Sequence, residues 1–474
     1  MKPLPRLLVV CAFVVLALAA FAAPSCGASS GLHAGFAVVD ITPPIGWRMS
    51  GYFSERPSTA THDPLFAKAA VLEQEGRRVA LVFCDLIAIE GGLATTARQR
   101  ASKRTRIPVE NILICATHSH TGPLYYGALR KQLHDAAVAR DGVDVRERVD
   151  YPDLLAERIA DAVARAARSV RPVRLDTGKT EQHGLAFNRR FHMKDGTVVF
   201  NPGKTNPNIV RTAGPVDPTV GIALFRDRQN KTPLGSITTF ALHCDTVGGT
   251  HYSGDFPHYL QLELQRQLGT NFVSCFGNGP CGDINHIDVS HGRPQKGNEE
   301  AARIGATLGQ TVLKALPSLN LAKPDLFALS TKVFVPLQTN TAAEIAAARG
   351  KMPFIGQRKF KFLEEVEACR IVDLALMGQT KRPLEVQTFR LSSDTAIVGL
   401  PGEVFTDLGL AIKAASPFRY TFIIELCNDS IAYVPTWKAF AEGSYETVNS
   451  RVAPGGGEML VSTAAKLLKE LKGK

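Results

Sequence analysis

The chain has 474 residues, 45% of them hydrophobic and 21% charged. That is globular composition with room for a sizeable core in one large domain or two to three ordinary ones, and it argues against a disordered protein. The net charge of +11 is spread over short basic clusters such as RQRASKR at 98–104. These lack interleaved aromatics, so they read as solvated helix surface and argue against nucleic acid as a partner.

Lys2 and Arg6 precede an apolar run at 7–22 that ends in small residues. This predicts a signal peptide over 1–23, removed on export to a periplasmic, extracellular or cell-surface location; an uncleaved anchor helix is the rival, and Ala-Pro-Ser is a poor match for lipid attachment at Cys26. No later segment is long and apolar enough to span a membrane. Nine cysteines, at 11, 26, 84, 115, 244, 275, 281, 369 and 427, show no regular framework. Export permits a Cys275–Cys281 pair, whereas Cys84 and Cys115 lie in strand-like runs and read as buried thiols.

Strands are predicted at 35–42, 66–72, 78–86 and 111–116, with a helix at 93–104. The apolar spacing of YPDLLAERIADAVARAARSV predicts a helix over 151–170. Extended segments follow at 173–177 and 198–200, then strands at 220–225 and 235–242, a helix at 256–268, a strand at 271–276 and a helix at 299–316. The stretch 319–341 is strand-rich. Helices at 342–347 and 362–376, strands at 386–391 and 395–400, a helix at 403–415, a strand at 420–426 and a helix at 464–471 complete the chain. Strands and helices alternate while several strand pairs are joined by short turns, which predicts an α/β fold with a layered mixed sheet, flanking helices and the site at strand ends. With no repeat or long linker, one domain over 34–474 is the simplest organisation. The basic amphipathic segment 464–474 packs on that domain or, alternatively, makes peripheral contact with a membrane surface.

The chemistry collects where strands end. ATHSHTGP at 116–123 follows the strand at 111–116 and places His118 and His120 one residue apart. In a strand, side chains two apart share a face. Three further strand ends lead to His243 and Asp245, to Glu403, and to Asn428, Asp429 and Tyr433. Two imidazoles and a carboxylate make a hydrolytic zinc set. Taken singly, His243 reads as a hydrogen-bonded core histidine and Glu403 as a favourable charge at a helix start. GNGPCG at 277–282 fits a dinucleotide fingerprint, but no helix opens after it. GASSG at 27–31 fits a nucleophile elbow, but no strand precedes it.

With these residues in place, the chain resembles the neutral/alkaline non-lysosomal ceramidase family. The marks are VVDITPP at 38–44, THSHTGP at 117–123, Asn188-Arg189, His243, Gly282-Asp283, PGE at 401–403, and the tyrosines Tyr433 and Tyr445. The resemblance runs to about Met459. It implies a zinc amidase that cleaves the N-acyl bond of ceramide, a sphingolipid, into fatty acid and sphingosine by metal-activated water. It places Zn2+ on His118, His243, Glu403 and Tyr433. His120 is implied as proton shuttle or substrate contact, Tyr445 as hydrogen-bond donor to the reacting carbonyl, and Arg189 as a polar contact near the site. Asn285 stands where the family pattern Gly-Asp-x-Ser-Pro-Asn has its serine. Asparagine donates a hydrogen bond but is no nucleophile, so a water-attack mechanism survives and a covalent one does not. The family's C-terminal immunoglobulin-like domain is expected to be absent. These departures leave two alternatives open: a zinc hydrolase of another amide or ester, and a non-catalytic binding protein that kept the scaffold.

Overall fold

A computed structural model describes residues 31–474. The expected signal peptide, with Cys11 and Cys26, lies outside the described residues. Two sheets stack face to face, and helices cover both outer surfaces. The larger sheet runs in the order Val273–Asn278, Pro233–Phe240, Thr219–Asp227, Arg171–Glu181, His33–Asp40, Phe66–Gln74, Arg77–Cys84, Ile112–Ala116. Its terminal pairs at both ends are parallel and its interior pairs antiparallel. The smaller sheet runs Pro324–Pro336, Lys381–Ser392, Thr395–Gly399, Tyr420–Ile424, with the last pair parallel.

Leu81, Phe83 and Leu113 from the larger sheet meet Phe389, Ile397 and Phe422 from the smaller one in a shared inner core. Strands buried on both faces read as unbroken apolar runs, as LVFC and ILICA do. On the outer face, the helix Tyr151–Arg168 shows how sequence sets packing. Asp150 caps it by accepting from the Asp153 amide at 3.1 Å, and Pro152 suits its first turn. Leu155, Ile159 and Val163 then fall on one face and are fully buried against the sheet. Each such side chain contributes roughly 1.5–3 kcal/mol, so a charge at Ile159 breaks this layer.

Three expectations are corrected and one element is new. The helix predicted over 403–415 begins at Thr406, because Glu403–Val404 pairs in parallel with Tyr433–Val434. The last helix is longer, Gly456–Gly473, its start disguised by two glycines that pack too tightly for a side chain. A helix over Gly127–Asp141 was not foreseen; it buries only Ala128 and Ala137 and so carries almost no apolar period. All seven described cysteines are free and buried: Cys275 lies within a strand, while the Cys281 thiol donates to Glu425 Oε1 at 2.9 Å.

The parallel pairs matter for function. Strands ending at Ala116, Phe240, Asn278, Gly399 and Ile424 deliver their following loops to one edge of the stacked sheets. Asn278, fully buried, ties two of them by accepting from the Leu242 amide and donating to the Thr117 carbonyl.

Candidate active site

Strand alternation does not explain how His118 and His120 converge. The strand stops at Ala116, and His118 adopts φ +75°, a left-handed conformation rare for a side-chain-bearing residue. The loop is held there by main-chain bonds. The amides of His118 and Ser119 both donate to Leu86 O, and that of His120 donates to Cys244 O. Gly51 permits this packing, since a Cβ there would sit 2.7 Å from His120 O.

Three ring nitrogens then meet. His118 Nε2 lies 3.0 Å from His243 Nε2, and His120 Nε2 lies 3.2 Å from each of them. The outward nitrogens differ. His118 Nδ1 faces Ile87 O at 2.7 Å, which assigns its proton to that side and leaves a bare lone pair on Nε2. His243 Nδ1 faces Cys281 Sγ at 3.8 Å. His120 Nδ1 has no hydrogen bond among the described residues; Asp245 Oδ1 is 3.4 Å away. Burial pushes the His120 and His243 imidazoles well below the usual histidine range, and their neighbours' positive charge adds to this. Both therefore stay neutral, the form in which a histidine can bind a metal.

Glu403 joins the cluster, its Oε2 3.3 Å from His118 Nε2. Gly402 before it takes φ +76°, with Ala432 O where a Cβ would be. Burial works against the Glu403 charge, but His118, Tyr433 and Arg189 more than offset it and hold the carboxyl below its ordinary range. Glu403 Oε2 nevertheless has no hydrogen-bond partner among the described residues. A buried acceptor beside converging imidazole lone pairs is costly unless something cationic lies between them. The nitrogen spacings fit: a tetrahedral ion with bonds of about 2.0–2.1 Å sets its ligands roughly 3.3 Å apart. The donor set fits a borderline cation such as zinc.

Arg189 lies beside this group. Its Nε donates to Glu446 Oε1 and its second terminal nitrogen to Gly282 O, both at 2.9 Å, while the first is 3.5 Å from the His243 ring. Tyr433 and Tyr445 pack edge to face, their ring centroids 5.4 Å apart. Burial pushes both hydroxyls up, Tyr445 to about 12, so both remain protonated near neutral pH. The cluster opens on a cleft of about 740 Å³ lined by His118, His120, Glu403, Tyr433 and Tyr445, with Leu129 and Leu376 further out. The unforeseen helix Gly127–Asp141 supplies one wall and Phe362–Met377 contributes another.

Of the residues singled out in the sequence, His118, His120, His243, Glu403, Tyr433, Tyr445 and Arg189 come together. Asn285 does not join them. It donates to Asn201 Oδ1 at 3.0 Å and lines a neighbouring cleft. Sequence reasoning missed Glu446, fully buried between Arg189 and Arg190, and it missed Tyr52, which donates to Asp245 at 2.7 Å. It also missed Glu425, whose carboxyl is raised well above the ordinary range, first by burial, and sits under the site bonded to Cys281 and the Val404 amide. Only the adjacency of Glu446 to Tyr445 hinted at any of these.

The fold and the cluster define a two-sheet α/β protein with a candidate metal site, a buried His-His-His-Glu group at its strand ends. The profile of neutral/alkaline non-lysosomal ceramidase, N-terminal, matches residues 32–287, more than half of the chain, and the protein belongs to this family. Neutral ceramidase of Pseudomonas aeruginosa is 25% identical over 249 residues, 50% of this chain and 34% of that protein. Neutral ceramidase A of Dictyostelium discoideum is 24% identical over 273 residues, 54% of this chain and 36% of that protein. These alignments thus span about a third of each relative. The crystal structure of the Pseudomonas aeruginosa neutral ceramidase superposes with a TM-score of 0.71 at 20% identity, covering 94% of this chain and 75% of that one, which shows a shared fold.

Proposed function

We propose that the protein is an exported zinc-dependent amidase that cleaves the N-acyl bond of ceramide or a related N-acyl lipid. The observation that carries this is the convergence of three imidazole nitrogens beside a Glu403 oxygen left without a hydrogen bond. His118, His243 and Glu403, with Tyr433 adjoining, would hold the ion. Zinc bound there supplies Lewis acidity and a water activated near neutral pH.

The chain's own groups divide the remaining work. The water oxygen bonds to the acyl carbon, the carbon–nitrogen bond breaks, and the amine leaves carrying a proton. His120 is the imidazole free to move that proton, because its Nδ1 is not committed to a hydrogen bond as His118 Nδ1 is. Tyr445 accepts from Asn449 at 3.2 Å, which leaves its own hydroxyl hydrogen for the carbonyl oxygen as negative charge develops. Arg189, held by Glu446, adds fixed positive charge beside His243. The apolar stretch of cleft at Leu129 and Leu376 suits an acyl chain. Among the described residues no helix is long and apolar enough to cross a membrane.

Elemental analysis of the purified protein, paired with hydrolysis of short-chain ceramide, tests the reading. About one zinc per chain and release of fatty acid are expected. No bound metal, and no uptake of added zinc, would overturn it.

A further inference from the structure

A second cleft, of about 780 Å³, lies one side chain away from the histidine cluster. Tyr52 lines both clefts. Asp245 lines the second, yet lies 3.4 Å from His120 Nδ1 and is about one-third exposed. The Tyr52–Asp245 hydrogen bond is thus the partition between them.

The two clefts differ in chemistry. The first presents Phe53, Leu129, Leu376 and Met377. The second presents Asn201, Lys204, Asn285 and Lys296; neither lysine is ion-paired among the described residues, and Lys204 Nζ donates to the neutral Arg293 carbonyl. Its wall also includes His286 and Thr246, 4% and 1% exposed, with His286 Nδ1 and Thr246 Oγ1 lacking hydrogen-bond partners.

An amide bond held at the cluster sends its acyl and amine arms in different directions. From this geometry we infer that the second cleft receives the amine arm, and that this arm carries a carboxylate: the substrate class is N-acyl amino acids. The inference rests on the amidase reading above. Asp245 would face the scissile nitrogen's hydrogen, and Lys204 and Lys296 the carboxylate. A sphingoid base instead needs a second long apolar trough, which these side chains do not form. Hydrolysis places the water oxygen on the acyl carbon, breaks the carbon–nitrogen bond and releases the amino acid with the extra hydrogen on its nitrogen.

The test compares three amides of one acyl length, N-dodecanoylglycine, N-dodecanoylethanolamine and N-dodecanoylsphingosine, on the zinc-loaded chain and on a Lys204→Ala/Lys296→Ala variant. The glycine conjugate should exceed the ethanolamide in kcat/KM at least tenfold. The variant should lose that advantage through KM while keeping ethanolamide turnover within twofold. Preference for the sphingosine amide, or equal loss on both small amides in the variant, overturns the assignment and leaves the amidase reading standing. Hydrolysis of none of the three sinks the amidase reading instead. The cleft is then judged by calorimetric binding to the His118→Ala chain: tenfold tighter binding of dodecanoylglycine than of the ethanolamide, abolished by the lysine changes, supports it, and equal binding overturns it.

Discussion

Among the described residues two clusters of histidine and acid are close enough to be candidate metal sites, and they differ in how their polar atoms are satisfied. His134, Asp144 and Glu147 bring their side chains together near the mouth of the first cleft, just as His118, His120 and His243 do at its base. In the outer cluster each carboxylate has a guanidinium. Arg48 donates to Asp144 at 2.6 Å and to Glu147 at 3.2 Å, Arg130 pairs with Glu147, and His134 faces Asp144 at 3.0 Å. In the inner cluster the nearby guanidinium, Arg189, is bonded to Glu446 and Gly282, while Glu403 Oε2 is left without a hydrogen bond. Residue types alone do not distinguish the two. What separates them is whether polar atoms are already satisfied, because a carboxylate already matched by a guanidinium is charge-compensated without a metal cation.

The largest effect should come from breaking the inner cluster. His118→Ala is expected to abolish stoichiometric zinc and to slow hydrolysis roughly a thousandfold, about 4 kcal/mol of barrier. His134→Ala should leave zinc content unchanged. Metal lost from the His134 variant rather than the His118 variant would reverse the comparison.

The outer cluster should fail in stability instead. Arg48 is 2% exposed, and Arg48→Met would strand Asp144 and Glu147. Removing one partner of a buried pair costs roughly 3–5 kcal/mol, readable by denaturant titration, with metal per folded chain unchanged. A loss below about 1 kcal/mol would show that Arg130 and His134 suffice.

Asp85 is intermediate: buried, accepting from the Phe66 amide at 2.9 Å and Thr117 Oγ1 at 3.3 Å, but without a guanidinium. Burial pushes its carboxyl up to about 6. The fold then binds more protons than the unfolded chain between about pH 4 and 6. Stability should therefore fall as pH rises through that window and level off above it, by at most roughly 3 kcal/mol. Asp85→Asn should flatten this slope in unfolding measured at pH 4, 5 and 6.5; an unchanged slope would locate the titration elsewhere.

The smallest effect concerns Arg189. Glu446→Gln should retain zinc and slow hydrolysis tenfold to a hundredfold, as loss of a supporting partner does. Wild-type turnover would mean that Gly282 O alone orients the guanidinium.

Much of the architecture was legible because burial leaves a local trace. Strands buried on both faces are unbroken apolar runs, and the helix Tyr151–Arg168 carries its cap, its proline and its apolar period within its own segment. His118, His120, His243 and Glu403 were visible as polar residues at the ends of such runs. The reason they meet was not visible: His118 turns through a left-handed conformation imposed by Leu86 O, a residue 32 positions earlier in the chain. Glu403 likewise sits in a two-residue pairing with Tyr433–Val434, which overrode the helical pattern around it.

The sequence by itself determined most element types, the mixed-sheet class and the residues able to carry hydrolytic chemistry, since each depends on local periodicity and residue type. Only the tertiary structure decided which polar atoms are satisfied. It bound Arg189 to Glu446 across 257 positions, set Asp245 between two clefts, and placed Asn285 in the second cleft rather than beside the histidine cluster. Satisfaction of a buried polar atom depends on distant partners meeting at hydrogen-bond distance, and no local pattern encodes that.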